Sequence, residues 1–204
     1  MNDQSILRHP AVLRELERET EAMGFRLASQ PRTGALLRTL AASKPSGTLL
    51  ELGTGTGIGT AWLLDGMSSQ AQLTSVDGDP SVMAVARRYL ESDARVAFYA
   101  EDVAVLPGRL PEDGFDLIFA DAWAGKYTHL DEALRLLRLG GWYVVDDLLP
   151  QTGWSAVHEQ RAERLIAELQ GRRDLVLTEM AWSTGIIVAV KTRVMQHARG
   201  APEG

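Results

Sequence analysis

Three acids stand at the ends of apolar runs: Asp121 closes FDLIFAD, and the adjacent pair Asp146 and Asp147 closes WYVVDD. Neighbouring side chains of a strand point to opposite faces, so a pair of this kind belongs where a strand stops and the chain turns. Two readings are open. Asp121 caps a turn and the pair starts a solvated loop, or adjacent strands deliver the three carboxylates to one point. In the second case their repulsion calls for a cation, and ligation by oxygen alone selects a hard ion, Mg²⁺, Mn²⁺ or Ca²⁺, over zinc. Such an ion can be chelated by a molecule with two neighbouring hydroxyls, whose pKa it lowers.

A second stretch with chemical content is ELGTGTGIG, Glu51 to Gly59, placed between a strand-like run and a helical pattern. Its glycines let backbone amides approach a ligand at a helix N-terminus. The dinucleotide pattern G-x-G-x-x-G fails in both registers, which reach Ile58 from Gly53 and Thr60 from Gly55. What remains is G-x-G-x-G over Gly53, Gly55 and Gly57, with Glu51 ahead of it; the competing reading is a turn that only permits tight packing. Asp77 ends the next apolar run, about 20 residues beyond the loop, where an acid accepts hydrogen bonds from ribose hydroxyls. Asp79, before Pro80, reads as a helix cap. Asp102 follows the third run and suits either the exocyclic amine of an adenine or another cap.

These residues need a scaffold that brings strand ends together. The runs TLLEL (48–52), LTSV (73–76), VAFY (96–99), FDLIFA (115–120) and WYVV (142–145) alternate with helical patterns over Gly57 to Leu64, Ser81 to Leu90 and Leu130 to Leu139, and with a short turn near Val103 to Leu106. Such alternation predicts a parallel sheet with helices on both faces. Two amphipathic segments, AVLRELERETEAMGF and GALLRTLAAS, precede it. A helix over Ser155 to Leu169, which Gly171 can cap, and a hairpin of LVLTEMA and GIIVAV complete it. In an open parallel sheet ligands bind beyond the carboxyl ends of the strands, and Glu51, Asp77, Asp102, Asp121, Asp146 and Asp147 all collect at that edge. THLDEALRLLRL starts with a capping pattern, Thr128 with Asp131. Trp123, Tyr127 and Trp154 sit beside the acids, as core residues or as walls for an aromatic ring, and His129 and His158 read as surface or capping residues or as bases.

The composition narrows the partners. A chain of 204 residues, 45% hydrophobic, predicts one domain with one substantial core. With no cysteine, thiol nucleophiles and thiolate zinc sites are excluded. A net charge of -6 argues against a broad nucleic-acid surface and favours small molecules. No apolar run is long enough to span a membrane and no leader pattern is evident, so a cytoplasmic protein with no membrane partner is expected.

ELGTGTG, SVDGDP, EDVAVLP, FDLIFADAWAGKY and LRLGGWYVVDD, in this order and spacing, resemble the class I S-adenosylmethionine-dependent methyltransferases. Among them the chain is similar to the cation-dependent O-methyltransferases related to the catechol and caffeoyl-CoA enzymes, over roughly Gln30 to Lys191. The resemblance implies an α/β, doubly wound Rossmann-like fold with a seven-stranded, mostly parallel sheet whose last strand is antiparallel. It divides the single domain into N-terminal helices (1–45), a core (46–191) and a frayed tail (192–204). It implies S-adenosylmethionine as cofactor, with Glu51, Gly53, Gly55 and Gly57 at its methionine part, Asp77 and Gly78 at the ribose, Asp102 and Val103 at the adenine, and Asp121 near its reactive end. It also implies Mg²⁺, or Mn²⁺ or Ca²⁺, on Asp121, Asp146 and Asp147, a small acceptor with vicinal hydroxyls, and a homodimer. Two positions depart from the family: Ala124 stands where a lysine is usual, and Gly59 where a serine meets the cofactor carboxylate. Lys126 is the nearest ammonium on that loop, with Gly125 giving the freedom to turn it inward. It stands beside Asp121 as the candidate catalytic pair, either as a base or as a solvated lysine. A non-catalytic binder of S-adenosylmethionine and a methyltransferase of hydroxylated uridine in RNA are the alternatives.

Overall fold

The structure is a computed structural model and describes residues 8–105 and 109–193. Two helices open it, α1 (Leu13–Ala22) and α2 (Pro31–Ala42). Then β1 (Thr48–Leu52), α3 (Ile58–Gly66), β2 (Gln72–Asp77), α4 (Pro80–Leu90) and β3 (Val96–Ala100) alternate. β4 (Phe115–Ala120), α5 (Leu130–Leu136), β5 (Leu137–Val145) and α6 (Ala156–Gly171) continue the pattern, and β6 (Leu175–Met180) and β7 (Ile186–Lys191) close it. All seven strands form one sheet in the order β3-β2-β1-β4-β5-β7-β6. Pairing is parallel from β3 through to β5, and β7 runs antiparallel to both β5 and β6. The expected doubly wound sheet with an antiparallel last strand is therefore present.

The central strands are apolar on both faces because helices cover both. Leu49, Phe119 and Val144 face one core, built with Leu16 of α1, Leu37 of α2, Trp62 of α3 and Met83 of α4. Leu50, Leu52, Ile118, Ala120 and Val145 face the other, built with Ala133 and Leu134 of α5 and Leu165 and Leu169 of α6. This alternation turns Glu51 toward the α1–α3 side. The strand order reverses between β1 and β4, so the loops leaving these neighbours diverge and open a crevice at their carboxyl ends.

Two local expectations are corrected. The helical pattern read as Leu130 to Leu139 stops at Leu136, and Leu137 to Leu139 begin β5 instead. The reason is local bonding. Lys191, 2% exposed, donates to the carbonyls of Leu134 at 2.9 Å and Leu137 at 2.6 Å, capturing the helix end, while Leu137 takes Phe115 as its strand partner. The pattern of Thr128 with Asp131 is not the cap used: the residue before α5 is His129 at φ +56°, with no side-chain cap, and Asp131 instead accepts from Arg172 at 2.6 Å. Gly171 is the last residue of α6, and Arg172 takes the capping position. Asp79 does cap α4, accepting from the amides of Ser81 and Val82. Of the tail read as frayed, Thr192 is bonded to the carbonyl of Asp174 at 2.8 Å, and 194–204 lie outside the described residues, as does Leu106 at the end of the predicted short turn. Among the described residues no helix is long and apolar enough to cross a membrane.

Candidate active site

The glycine loop is built by backbone geometry that side chains resist. Gly53, Gly55 and Gly57 all have positive φ, at 104°, 54° and 91°. A Cβ at Gly53 would fall 2.9 Å from the carbonyl of Asp121, and one at Gly57 would fall 2.7 Å from Cβ of Ala86 in α4. The spacing therefore satisfies both the turn and the close approach of neighbouring elements. The loop is tied to β2: the amides of Gly53 and Thr54 reach the carbonyl of Val76, and the Gly55 amide donates to Oδ2 of Asp77 at 2.7 Å. Asp77 thus stands at the loop, its other oxygen taking the amide of Asp79 at 2.9 Å.

A cavity of about 310 Å³ lies over this loop. Gly53, Gly55, Asp77 and Asp121 line it together with Phe25, Ser29, Gly59 and Trp123, so the loops after β1 and β4, the end of β2 and the segment before α2 meet there. Gly57 sits beneath it, packed on α4 rather than lining it. Gly78 has open space around its Cα, and Asp102 is exposed with its carboxylate on the amide of Ala104 at 2.9 Å, so it serves as the local turn cap. Val103 is buried at 7% exposure in the core behind β2.

Behind the loop, Glu51 is fully buried. Its Oε2 accepts from Thr60 and Ser75, each at 2.5 Å, and Thr54 is bonded to Ser75 at 2.7 Å. Among the described residues its Oε1 has no hydrogen-bond partner, and it lies 2.6 Å from where a Cβ of Gly59 would be. Burial pushes the Glu51 carboxyl up to about 7, against the two hydroxyl bonds that favour its ionised form. A serine here would crowd that oxygen, so the departure at Gly59 is coupled to the buried acid next to it.

The expected meeting of three acids at one point is corrected: two of them are brought side by side, and the third, Asp147, turns away to its own partner. Ala120 and Val145 are register partners, so Asp121 and Asp146 leave adjacent strands side by side. Burial raises the carboxyl of Asp121 well above the usual range; Lys126 opposes this, and Asp146 and Asp147 add to it. Burial, and then Asp147, raises Asp146, which is 1% exposed. Each acid is turned to a protein group. Asp121 accepts from Ser29 at 3.1 Å, Asp146 from Thr184 at 2.5 Å and from the amide of Asp147 at 2.8 Å, and Asp147 from Gln151 at 2.6 Å. Asp147 sits at φ +56°, a conformation that few residues other than glycine and short polar ones adopt. The donor chemistry, carboxylate oxygens alone, fits a hard cation, with Lys126 the one protein charge that offsets Asp121. As the side chains stand, however, no three acidic or imidazole groups among the described residues are gathered around one point.

Lys126 is buried at 5% exposure, which rules out the solvated position that its loop allowed. Gly125 at φ +86° turns the chain inward before it, and the amides of Lys126, Tyr127 and Thr128 all return to the carbonyl of Trp123. The ammonium lies 5.1 Å from the centre of the Tyr127 ring. The aromatic residues beside the acids form a cluster around His158: Trp154 stacks on it at 3.9 Å, Trp123 and Tyr127 meet it edge-on, and the Tyr127 hydroxyl is 3.2 Å from Nε2. Burial, with Lys126, lowers the His158 pKa, while burial and the charges of Asp147 and Asp121 raise Tyr127 to about 12. His129, by contrast, is exposed at the start of α5.

Comparison with known proteins agrees with this arrangement. Residues 50–148 match a family described as a methyltransferase domain. A protein of Mycobacterium ulcerans named as an O-methyltransferase is 35% identical over 154 residues, 69% of each chain. The chain belongs to the O-methyltransferase family. These are enzymes that take their methyl group from S-adenosylmethionine. The methyltransferase fold extends to more distant structures. The O-methyltransferase TomG from Streptomyces achromogenes, solved with SAM, superposes with a TM-score of 0.80 at 21% identity, covering 94% of both chains. An O-methyltransferase from Bacillus cereus, solved with SAH, gives 0.78 at 20% identity, covering 93% of this chain and 94% of the other. On this methyltransferase, the segment from Phe25 to Ser29 and the ring of His158 were not legible as site residues. The first has no pattern at all. The second carried a signal, since His158, Arg161, Leu165 and Glu168 recur at helical spacing along one face of α6.

Proposed function

We propose that this methyltransferase alkylates a hydroxyl of a small acceptor bearing two neighbouring hydroxyls, with a divalent cation held by Asp121, Asp146 and Asp147. The observation that carries the reading is that Asp121 and Asp146 leave adjacent strands together, both raised by burial and by neighbouring acids, with Asp121 on the wall of the glycine-loop cavity. The cation, when bound, would supply the countercharge and acidify a coordinated hydroxyl.

The chain's own residues supply position. The glycine loop and Asp77 would seat S-adenosylmethionine, with Asp77 free to accept a ribose hydroxyl on its remaining lone pairs, and the segment of Asp102 and Val103 would meet the adenine end. Glu51 presents an unpartnered oxygen toward Gly59, on the wall of this cavity. Methyl transfer is a displacement, so alignment of the acceptor oxygen with the sulfonium methyl provides most of what the protein must do. Lys126, near Asp121, is the group we assign to take the acceptor's proton. We extend the proposal to a homodimer formed through the N-terminal helices, next to which Met23 and Leu27 are 46% and 77% exposed. The test is turnover with a panel of vicinal diphenols in chelator and after adding Mg²⁺ or Mn²⁺. Loss in chelator and recovery with metal is the expected result; undiminished activity in chelator would leave Asp146 and Asp147 as loop residues.

A further inference from the structure

A second cavity, of about 460 Å³, lies between α6 and the loop that follows β4. Its walls carry the rings of Trp123 and Tyr127, three cations, Lys126, Arg161 and Arg164, and one acid, Glu168. The Arg161 guanidinium lies over the Trp123 ring at 4.4 Å. Among the described residues none of the three cations forms an ion pair with a carboxylate, although Arg172, just beyond α6, pairs with Asp131 and Asp174. Lys126 is 5% exposed and its charge acts on Asp121, so the two arginines are the cations left to an incoming group. Trp123 lines this cavity and the glycine-loop cavity alike, so the two share a wall.

We propose that the second cavity binds an oxyanion group of the acceptor, a carboxylate or a phosphate, on Arg161 and Arg164, while the acceptor's ring lies against Trp123 and its hydroxyl faces Lys126 and the methyl donor. The substrate class is then a hydroxylated aromatic acid or phosphate rather than a neutral phenol. Guanidinium forks match planar carboxylates and phosphates, and the aromatic walls match a ring. This assignment rests on the proposed function for the identity of the hydroxyl-bearing part, but the anion site is measured separately.

The experiment is calorimetric titration, in the presence of S-adenosylhomocysteine, with three arenes carrying the same vicinal hydroxyls: 3,4-dihydroxybenzoate, 3,4-dihydroxybenzylphosphonate and neutral 3,4-dihydroxybenzamide. At least one charged member should bind about tenfold tighter than the amide, as a charge-assisted hydrogen bond implies. The preference should shrink as salt is raised. In the R161Q/R164Q variant the charged members should fall to the affinity of the amide, with the affinity for S-adenosylhomocysteine unchanged. Which of the two charged arenes wins decides between carboxylate and phosphate. Equal binding of charged and neutral members, or a preference that survives in the variant, would overturn the anion site. Charged arenes that bind with the expected preference but are never methylated would support the site and refute the proposed acceptor hydroxyls. Methylation without any charge preference would do the reverse, and failure of all three to bind would overturn both.

Discussion

Replacing Glu51 by glutamine should change how stability depends on pH in a direction the site dictates. In the folded protein burial lifts the carboxyl from 4.5 to about 7, so between these values the native state holds a proton that the unfolded chain has lost. Stability from this group is fully present below 4.5 and is lost as the pH rises through 7. A shift of about 2.5 units corresponds to about 3 kcal/mol at 1.36 kcal/mol per unit. Glutamine keeps an oxygen for Thr60 and Ser75 and cannot ionise. The two proteins should therefore have similar stabilities at pH 4.5, and E51Q should become the more stable by up to about 3 kcal/mol by pH 8. Urea denaturation of both proteins across this range reads the difference, and contributions of Asp121 and Asp146 cancel in it. Parallel curves would show that Glu51 is not held in the proton-binding environment described. Titration with S-adenosylhomocysteine at pH 8 adds a second readout: weaker binding by E51Q would place the unpartnered oxygen on the ligand.

D77A should weaken binding of S-adenosylhomocysteine more than D79A, because Asp77 holds the Gly55 amide at the cavity while Asp79 caps α4; D79A should instead cost about 1 kcal/mol of stability, and the reverse pattern in calorimetry and denaturation would reject the division. G57A should destabilise the fold by more than a kcal or two, roughly the cost of a strained φ plus overpacking, since its Cβ would meet Ala86 at 2.7 Å; a melting temperature equal to wild type would refute it. K126M should lower kcat strongly at neutral pH and recover part of the loss at higher pH, where the acceptor hydroxyl ionises unaided; an unmoved pH profile would remove the lysine from proton transfer. D146A should leave cofactor affinity nearly intact while removing turnover, and retained turnover would contradict its place on the acceptor side.

The sheet was legible because its strands are short apolar runs separated by helical periods, and the end of each run placed Asp77, Asp121, Asp146 and Asp147 at one edge. The glycine loop was legible for the same reason, since only one register of glycines fits it, and three positive φ values follow. What escaped depended on partners distant in sequence. Leu137 leaves its helical pattern because Lys191 and Phe115, at the far ends of other strands, claim it. The meeting of Ser29 with Asp121 spans 92 residues and has no local signature. Lys126 was placed between two roles because exposure on a loop is set by packing, here by the turn at Gly125 and by the ring of Tyr127. The aromatic cluster around His158 joins the loop after β4 to α6, which spacing within either element does not reveal.

The most direct test of the account is transfer of an isotopically labelled methyl group from S-adenosylmethionine to the vicinal diphenol panel in the presence of Mg²⁺, followed by mass spectrometry of the product. The account predicts a singly methylated product labelled on oxygen, formed with an equal amount of S-adenosylhomocysteine and abolished by D121N. Tight binding of S-adenosylmethionine with no labelled product from any hydroxylated acceptor would contradict it.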